Sequence, residues 1–109
     1  MNIENTKAQM RKGVLEYCIL SMIANQSAYA SEIIVKLKAS KMIVVEGTLY
    51  PLLTRLKNTD LLTYRWEESS SGPPRKYYEI TDTGKGFIKE LSDTWLALVK
   101  AVELTTKNV

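Results

Sequence analysis

The segment from Gly47 to Asn58 combines regularly spaced leucines with a group of hydrogen-bonding side chains. Read as a helix, it places four leucines on one face, at spacings of three and four: Leu49, Leu52, Leu53 and Leu56. The opposite face consists of Thr48, Pro51, Thr54, Arg55 and Asn58, and apart from the proline it offers hydroxyls, a guanidinium and an amide. Such groups suit base edges and phosphate oxygens. The pattern predicts a DNA-recognition helix; the alternative is an amphipathic helix with a solvated polar face.

A proline within this segment restricts where the helix begins. Proline lacks a backbone N–H and crowds the preceding turn, so it is tolerated at the start of a helix and costly further in. We therefore expect the helix to begin near Thr48, which would put Pro51 in its first turn.

Two helices are predicted before this segment. The first runs from about Glu4 to Asn25 with Thr6 as its cap, and its apolar stripe consists of Met10, Val14, Leu15, Cys18, Met22 and Ile23. The second runs from about Ala30 or Ser31 to Ala39, with Ser31 as its cap. The linker 42–45 contains three β-branched residues, a composition that favours a short paired β-strand. The second helix and the recognition helix together form a helix-turn-helix.

A β-hairpin is predicted after Asp60, where the apolar period changes from 3.6 to 2. Leu62, Tyr64 and Trp66 alternate with polar residues, which assigns Trp66 to the inward, packed face. Residues 68–74 read as the connecting loop and 75–80 as the returning strand. A helix-turn-helix followed by a hairpin is the order of a winged helix.

Basic residues near these elements extend the candidate DNA surface. Arg55 and Lys57 lie on the recognition helix, beside the hydroxyls of Tyr50 and Thr54, and Arg75 and Lys76 follow the hairpin loop. Lys7, Arg11 and Lys12 line the polar side of the first helix. Each group either contacts phosphates or is a solvated charged surface.

The last predicted helix is capped by Thr81 or Asp82 and runs to about Thr105. Its apolar residues alternate spacings of three and four, as in a coiled-coil seam: Ile88, Leu91, Trp95, Leu98 and Val102. A helix of this length exceeds what a small winged helix can cover, so we expect a homodimer. Trp95 is either packed in that interface or an aromatic platform for a flat ligand.

The composition narrows the class of protein. The chain has 109 residues, which suits one domain, and a net charge of +3. Its first 60 residues hold eight bases and five acids, so the whole surplus lies in the half with the recognition helix.

Histidine is absent and Cys18 is the single cysteine, read as a small core residue rather than a redox sensor. These counts argue against an enzyme, a metal site, a cofactor or a disulfide, and no segment is apolar enough to cross a membrane. We expect a cytoplasmic protein.

Two motifs resemble those of the PadR family of bacterial transcriptional regulators, most closely its short members with a single C-terminal helix. The first is Gly-Thr-Leu-Tyr-Pro-Leu-Leu-Thr-Arg-Leu at 47–56, followed by Leu61, Leu62 and Trp66. The second is Gly-Pro-Pro-Arg-Lys-Tyr-Tyr-Glu-Ile-Thr at 72–81, with Gly84. Family members commonly have Tyr-Gly-Tyr-Glu-Ile where this chain has Tyr29-Ala-Ser-Glu-Ile33.

The resemblance implies a winged-helix homodimer that binds a palindromic operator and represses a nearby gene. Tyr50, Pro51, Thr54 and Arg55 would face the major groove, and Arg75 and Lys76 would lie on the wing. Trp95 resembles a tryptophan that lines a ligand pore between subunits in some short members.

We therefore expect an α+β chain with a winged helix-turn-helix at 1–80 and a dimerisation helix at 81–109. Its expected partners are double-stranded DNA, a second copy of the chain and a small-molecule effector, either an aromatic ligand or a stress signal. A winged helix that binds protein is the competing interpretation, although it would not need the basic surplus near the recognition helix.

Overall fold

The computed structural model describes residues 1–107. In chain order it contains α1 (Ile3–Asn25), α2 (Ala30–Ala39), α3 (Glu46–Asn58), β1 (Leu62–Ser69), β2 (Gly72–Ile80) and α4 (Asp82–Thr106). This order confirms the winged helix-turn-helix with a long C-terminal helix. The predicted dimerisation segment 81–109 includes residues 108 and 109, which lie outside the described residues.

The first helix begins earlier than predicted, because Asn2 is its cap. The Asn2 side-chain oxygen accepts a hydrogen bond from the backbone N–H of Glu4 at 2.9 Å, so Thr6 as the cap is wrong. Met10 belongs to the predicted apolar stripe, but it is 75% exposed. Burial in α1 begins at Leu15, more than one turn later, where the helix meets the core.

The segment around α2 differs from its prediction in two respects. The helix begins at Ala30, and the N–H of Tyr29 donates to the Glu32 side chain at 2.9 Å, so Ser31 as the cap is wrong. The linker 42–45 forms no strand in the part of the chain that is described. Instead Ala28 pairs with the edge of β2, exchanging hydrogen bonds of 3.1 and 2.9 Å with Tyr78. The apolar linker was therefore the wrong candidate for a third strand.

The core lies between the three helices of the helix-turn-helix and the base of the hairpin. Its main members are Leu15, Ile19, Leu20, Ile23, Ile33, Leu37, Leu49, Leu53, Leu56, Leu61, Leu62 and Tyr78. Leu49 and Leu53 of α3 are completely buried, and Leu52 packs against the core in part, which confirms the leucine face. Burial raises the pKa of the half-buried Cys18 thiol, so the side chain stays protonated and acts as a small packing residue.

The start of α3 corrects the prediction for Pro51. Because the helix begins at Glu46, Pro51 is its sixth residue and lies past the first turn. Its missing N–H leaves the carbonyl of Gly47 without the usual helical donor. Both Gly47 and Pro51 are exposed, so that carbonyl remains accessible to solvent rather than being buried unpaired.

The hairpin has a tighter turn than the predicted loop. Ser69 pairs with Gly72, so the turn consists of Ser70 and Ser71, and the segment Gly72-Pro-Pro belongs to β2. The register shifts between Glu67 and Ser69, which accommodates one extra residue on β2. The wing therefore extends further as a paired ribbon than the sequence indicated.

The last helix packs on its own chain only over its first half. Ile88 and Leu91 lie against the core, whereas Trp95 is 39%, Leu98 50% and Val102 51% exposed. Within residues 1–107, no helix has both the length and the apolarity that a membrane span requires.

The junction between β2 and α4 depends on Thr81 and Gly84. Thr81, one of the two predicted caps, is the cap of α4: its hydroxyl oxygen accepts from the Gly84 N–H at 2.9 Å, and the hydroxyl donates to the Asp60 carbonyl at 2.7 Å. Gly84 is buried, and a Cβ there would overlap the Leu61 carbonyl oxygen and lie 2.7 Å from Cδ1 of Ile80. The close approach of α4 to the hairpin base therefore requires glycine.

We expect Gly84→Ala to lower the free energy of unfolding by about 1–3 kcal/mol, because the added methyl group forces α4 away from the backbone of Leu61. Gly86→Ala is the matched control in the same helix. A Cβ at Gly86 meets no atom of the described chain within 4 Å, so this change should stabilise the helix by up to about 1 kcal/mol. Urea denaturation of both variants tests the prediction, and equal stabilities would contradict it.

Candidate nucleic-acid interface

A groove of about 430 Å³ separates α3 from the hairpin, and we call it the wing groove. It is lined by Tyr29, Ala30, Ser31, Tyr50, Thr54, Trp66, Pro74, Arg75, Lys76 and Tyr78. Four of these were predicted to contact DNA: Tyr50 and Thr54 from α3, and Arg75 and Lys76 from β2. None of the lining residues is acidic. The fold therefore brings hydroxyls and two cations from distant segments to one concave surface.

Lys76 is held in place by two aromatic rings. It pairs with Trp66 across the hairpin, and its Nζ lies 4.7 Å from the ring centre of Tyr64 and 5.5 Å from that of Trp66. Such cation–aromatic contacts restrict the lysine without neutralising it. Lys57 of α3 approaches the same Tyr64 ring, at 5.8 Å. The positive charge of both lysines thus remains available to an anion.

Trp66 does not lie where the alternation pattern assigned it. Leu62 and Tyr64, on the same face of β1, are buried and half-buried, but Trp66 is 62% exposed. The predicted packed position is wrong because the hairpin extends past the helices that cover its base. Beyond Tyr64, the inward face of the strand lines the wing groove instead of the core.

Arg75 reaches from β2 towards Tyr29, in the segment that precedes α2. Its guanidinium carbon is 5.4 Å from the ring centre of Tyr29, and the Tyr29 hydroxyl donates to Glu67 at 3.0 Å. That hydrogen bond, together with partial burial, raises the pKa of Tyr29, so the phenol remains a neutral donor. These contacts tie the wing to the start of the helix-turn-helix.

The basic residues differ in how far neighbouring acids neutralise them. Arg65 forms salt bridges of 3.4 Å with both Glu67 and Glu79. No salt bridge among residues 1–107 involves Arg75 or Lys76. Neither wing cation of the groove therefore forms a direct ion pair in the described part of the chain, although Glu67 lies opposite Arg75 in the hairpin register.

Arg55 points away from the wing groove. Its guanidinium forms a salt bridge with Glu16 of α1, although the Arg55 side chain remains 67% exposed. The sequence predicted Arg55 as a DNA contact but contained no signal for Glu16, which lies 39 positions earlier in the chain. Any contact of Arg55 with DNA must compete with this carboxylate.

The remaining predicted DNA residues lie on other surfaces. A second groove, also about 430 Å³, is lined by Ala8, Gln9, Arg11, Lys12, Leu15, Met42, Ile43, Val44, Val45 and Thr48. Arg11 and Thr48 therefore belong to this α1 groove, while Pro51 is exposed on α3. Lys7 lies near the start of α1, with its Nζ 3.6 Å from Glu4. The ten predicted residues do not form one surface.

Sequence reasoning missed several residues of the wing groove, notably Tyr29, Ser31, Pro74 and Trp66. The sequence offers Ser31 only as a helix cap and as a departure from a family motif, Tyr29 only as a match to that motif, and Pro74 only as part of a loop. In the described part of the chain, no three His, Cys, Asp or Glu side chains converge to hold a metal ion.

Comparison with known proteins agrees with this architecture. Residues 19–90 match the model of the transcriptional regulator PadR-like family. A PadR-like transcription factor from Bacteroides fragilis is 58% identical, with 94% of this chain and 99% of that chain covered and a TM-score of 0.78. A PadR family transcriptional regulator from Eggerthella lenta is 30% identical, with 94% and 90% covered and a TM-score of 0.88. A PadR-like transcriptional regulator from Bacillus cereus is 40% identical, with 89% and 95% covered and a TM-score of 0.77.

Members of this family are DNA-binding regulators of transcription and not enzymes, which agrees with an acid-free, cationic groove beside the second helix of a helix-turn-helix. From the two motifs, the winged-helix architecture and these matches, we conclude that the chain belongs to the PadR-like family of transcriptional regulators.

Proposed function

We propose that this regulator is a repressor that binds a palindromic operator as a homodimer. In this proposal α3 enters the major groove of DNA, and the wing lies along the adjacent backbone. The observation that carries it is the wing groove, where Tyr50 and Thr54 of α3 lie beside Arg75 and Lys76, which form no salt bridge among residues 1–107. Because the proposed partner is chromosomal DNA, we propose that the protein acts in the cytoplasm.

The exposed half of α4 supports the proposed dimer. Ile88 and Leu91 continue the seam onto the chain's own core, whereas Trp95, Leu98 and Val102 leave apolar surface in solvent. Pairing this surface with a second copy would bury it. A two-fold dimer would present its two recognition helices to successive major grooves, about 34 Å apart.

The proposed effector would act at this same interface. Trp95 lies where α4 leaves the core and is 39% exposed, so a flat aromatic ligand can stack on it if the partner helix leaves space. Such a ligand releases DNA only if it binds more tightly to a dimer conformation in which the distance between the two DNA-reading domains does not match the operator. Quenching of Trp95 emission by candidate ligands is the corresponding measurement.

The proposed function is tested by selecting tight binders from a randomised duplex library with the purified protein. Fluorescence anisotropy then compares the selected duplex with a scrambled duplex of equal length, at two salt concentrations. We expect a palindromic consensus and binding that weakens steeply with salt. Failure to enrich any sequence would contradict operator recognition and favour a protein partner.

Lys76→Ala should reduce the salt dependence of DNA binding by about one counterion, because Lys76 is expected to contact phosphate. Lys100→Ala is the matched control, since it removes the same charge from the exposed part of α4. Titrations of the selected duplex at several salt concentrations measure both slopes. Identical slopes for the two variants would remove Lys76 from the DNA contact.

Arg55→Ala and Glu16→Gln should change DNA affinity in opposite directions. The first should weaken operator binding by about 1–3 kcal/mol if Arg55 reads a base. The second removes the competing carboxylate, so both selected and scrambled duplexes should bind about two- to fivefold more tightly. Anisotropy titrations measure both effects. Weaker binding by Glu16→Gln would show instead that Glu16 holds Arg55 in its productive orientation.

Leu98→Asp should convert the protein to monomers without unfolding it, because Leu98 is 50% exposed in the single chain and would be buried only in the dimer. Lys100→Asp introduces the same side chain two residues later, on the other side of α4, and should leave the dimer intact. Sedimentation velocity gives the oligomeric state and circular dichroism checks the fold. A dimeric Leu98→Asp variant would exclude this seam as the interface.

A further inference from the structure

We propose that Trp66 of the wing is a DNA-contact residue whose indole packs against deoxyribose and base edges beside the site of α3. This inference rests on the proposed function and extends it, because the wing then supplies apolar contact area as well as positive charge. It assigns a role to a side chain that the alternation pattern had placed in the packed interior.

The exposure of Trp66 is the first observation behind this proposal. Its side chain is 62% exposed although it occupies the inward face of β1, and it forms a wall of the wing groove together with Tyr50 and Thr54. Tyr50 is itself 49% exposed. Large aromatic side chains on a groove wall mark a binding surface more often than an isolated exposed residue does.

The orientation of the ring is the second observation. The Trp66 ring meets the Tyr64 ring edge-on, at 6.0 Å and 90°, and the Lys76 ammonium lies 5.5 Å from the Trp66 ring centre. Tyr64 is half-buried and contacts the buried Tyr78 at 5.9 Å, so the support reaches the core. The indole is thus positioned before any partner arrives, which lowers the entropic cost of using it in binding.

The surrounding charge selects the partner. Lys76 and Arg75 line the same groove, and no acidic residue does, so a partner must offer negative charge and apolar surface at close spacing. Duplex DNA has this combination, because sugars and base edges lie between its phosphates. An apolar protein surface would gain nothing from the two cations.

An apolar contact and a phosphate contact differ in their response to salt. Removing a phosphate-bound lysine changes the number of released counterions and therefore the salt slope. Removing a tryptophan that packs on sugars and base edges changes affinity without changing that slope. The two kinds of contribution from one wing can therefore be separated experimentally.

The test uses the full-length protein and the selected duplex. We expect Trp66→Ala to weaken binding by about five- to tenfold with an unchanged salt slope, and Trp66→Phe to retain most of the affinity. DNA should also reduce the acrylamide quenching of wild-type tryptophan emission. In Trp66→Phe, which reports on Trp95 alone, that protection should be lost although labelled DNA still binds. Because Trp66 is exposed, the thermal unfolding midpoint of the Trp66→Ala protein should differ little from that of the wild type.

The outcomes separate this inference from the function on which it rests. Wild-type protein that binds no selected duplex overturns both. Tight binding by wild type and Trp66→Ala alike, or equal acrylamide protection in wild type and Trp66→Phe, overturns only the role of Trp66. Trp66→Ala that loses affinity together with salt slope or thermal stability also overturns it, because the residue would then act by supporting Lys76 or the fold.

Discussion

Burial of the leucine face of α3 is the constraint on which the rest of the structure depends. Leu49 and Leu53 are completely enclosed by α1, α2 and the hairpin base, so α3 cannot rotate about its axis without exposing them. The fixed orientation of α3 about its axis determines which part of the protein each outward side chain faces. Thr54 meets the wing groove, Thr48 meets the α1 groove, and Arg55 meets Glu16. A single helix face that appears uniform in sequence is thereby divided among three environments.

The wing has a firmly held base and an open end. Tyr78 is 4% exposed and pairs with Ala28, which ties β2 to the segment before α2. The Leu61 carbonyl accepts the backbone N–H of Thr81 at 3.3 Å, which joins the two strands at their base. Past Tyr64 the ribbon leaves this support and its inward face becomes a groove wall. A rigid base holds the far end, including Trp66, at a defined distance from α3, as the proposed DNA contact of the wing requires.

Local pairing of charges matters more than the net charge of the chain. The surplus of +3 is small, and several cations are offset by nearby acids, such as Arg65 by Glu67 and Glu79. Lys76 is different, because its ammonium group contacts aromatic rings rather than carboxylates. These rings position the lysine without neutralising its positive charge. The surface that attracts an anion is therefore the one where basic residues have no acidic neighbours. Counting the bases in each half of the sequence locates this surface only approximately.

The features that could be read from the sequence alone are those decided within about one helical turn or one strand. The periodicities indicate the order of helices and strands, the cap of α4 is narrowed to Thr81 or Asp82, and two short motifs indicate the family. The errors arose where a distant segment made the decision. Ala28 rather than the linker joined β2, Trp66 remained exposed because the covering helices end before it, and Arg55 met a carboxylate from α1. Periodicity shows which face of a helix or strand is apolar. How much of that face is buried, and which charged residue lies near a given side chain, depends on elements that are distant in the sequence. Only the packed structure therefore determines which predicted residues share a surface.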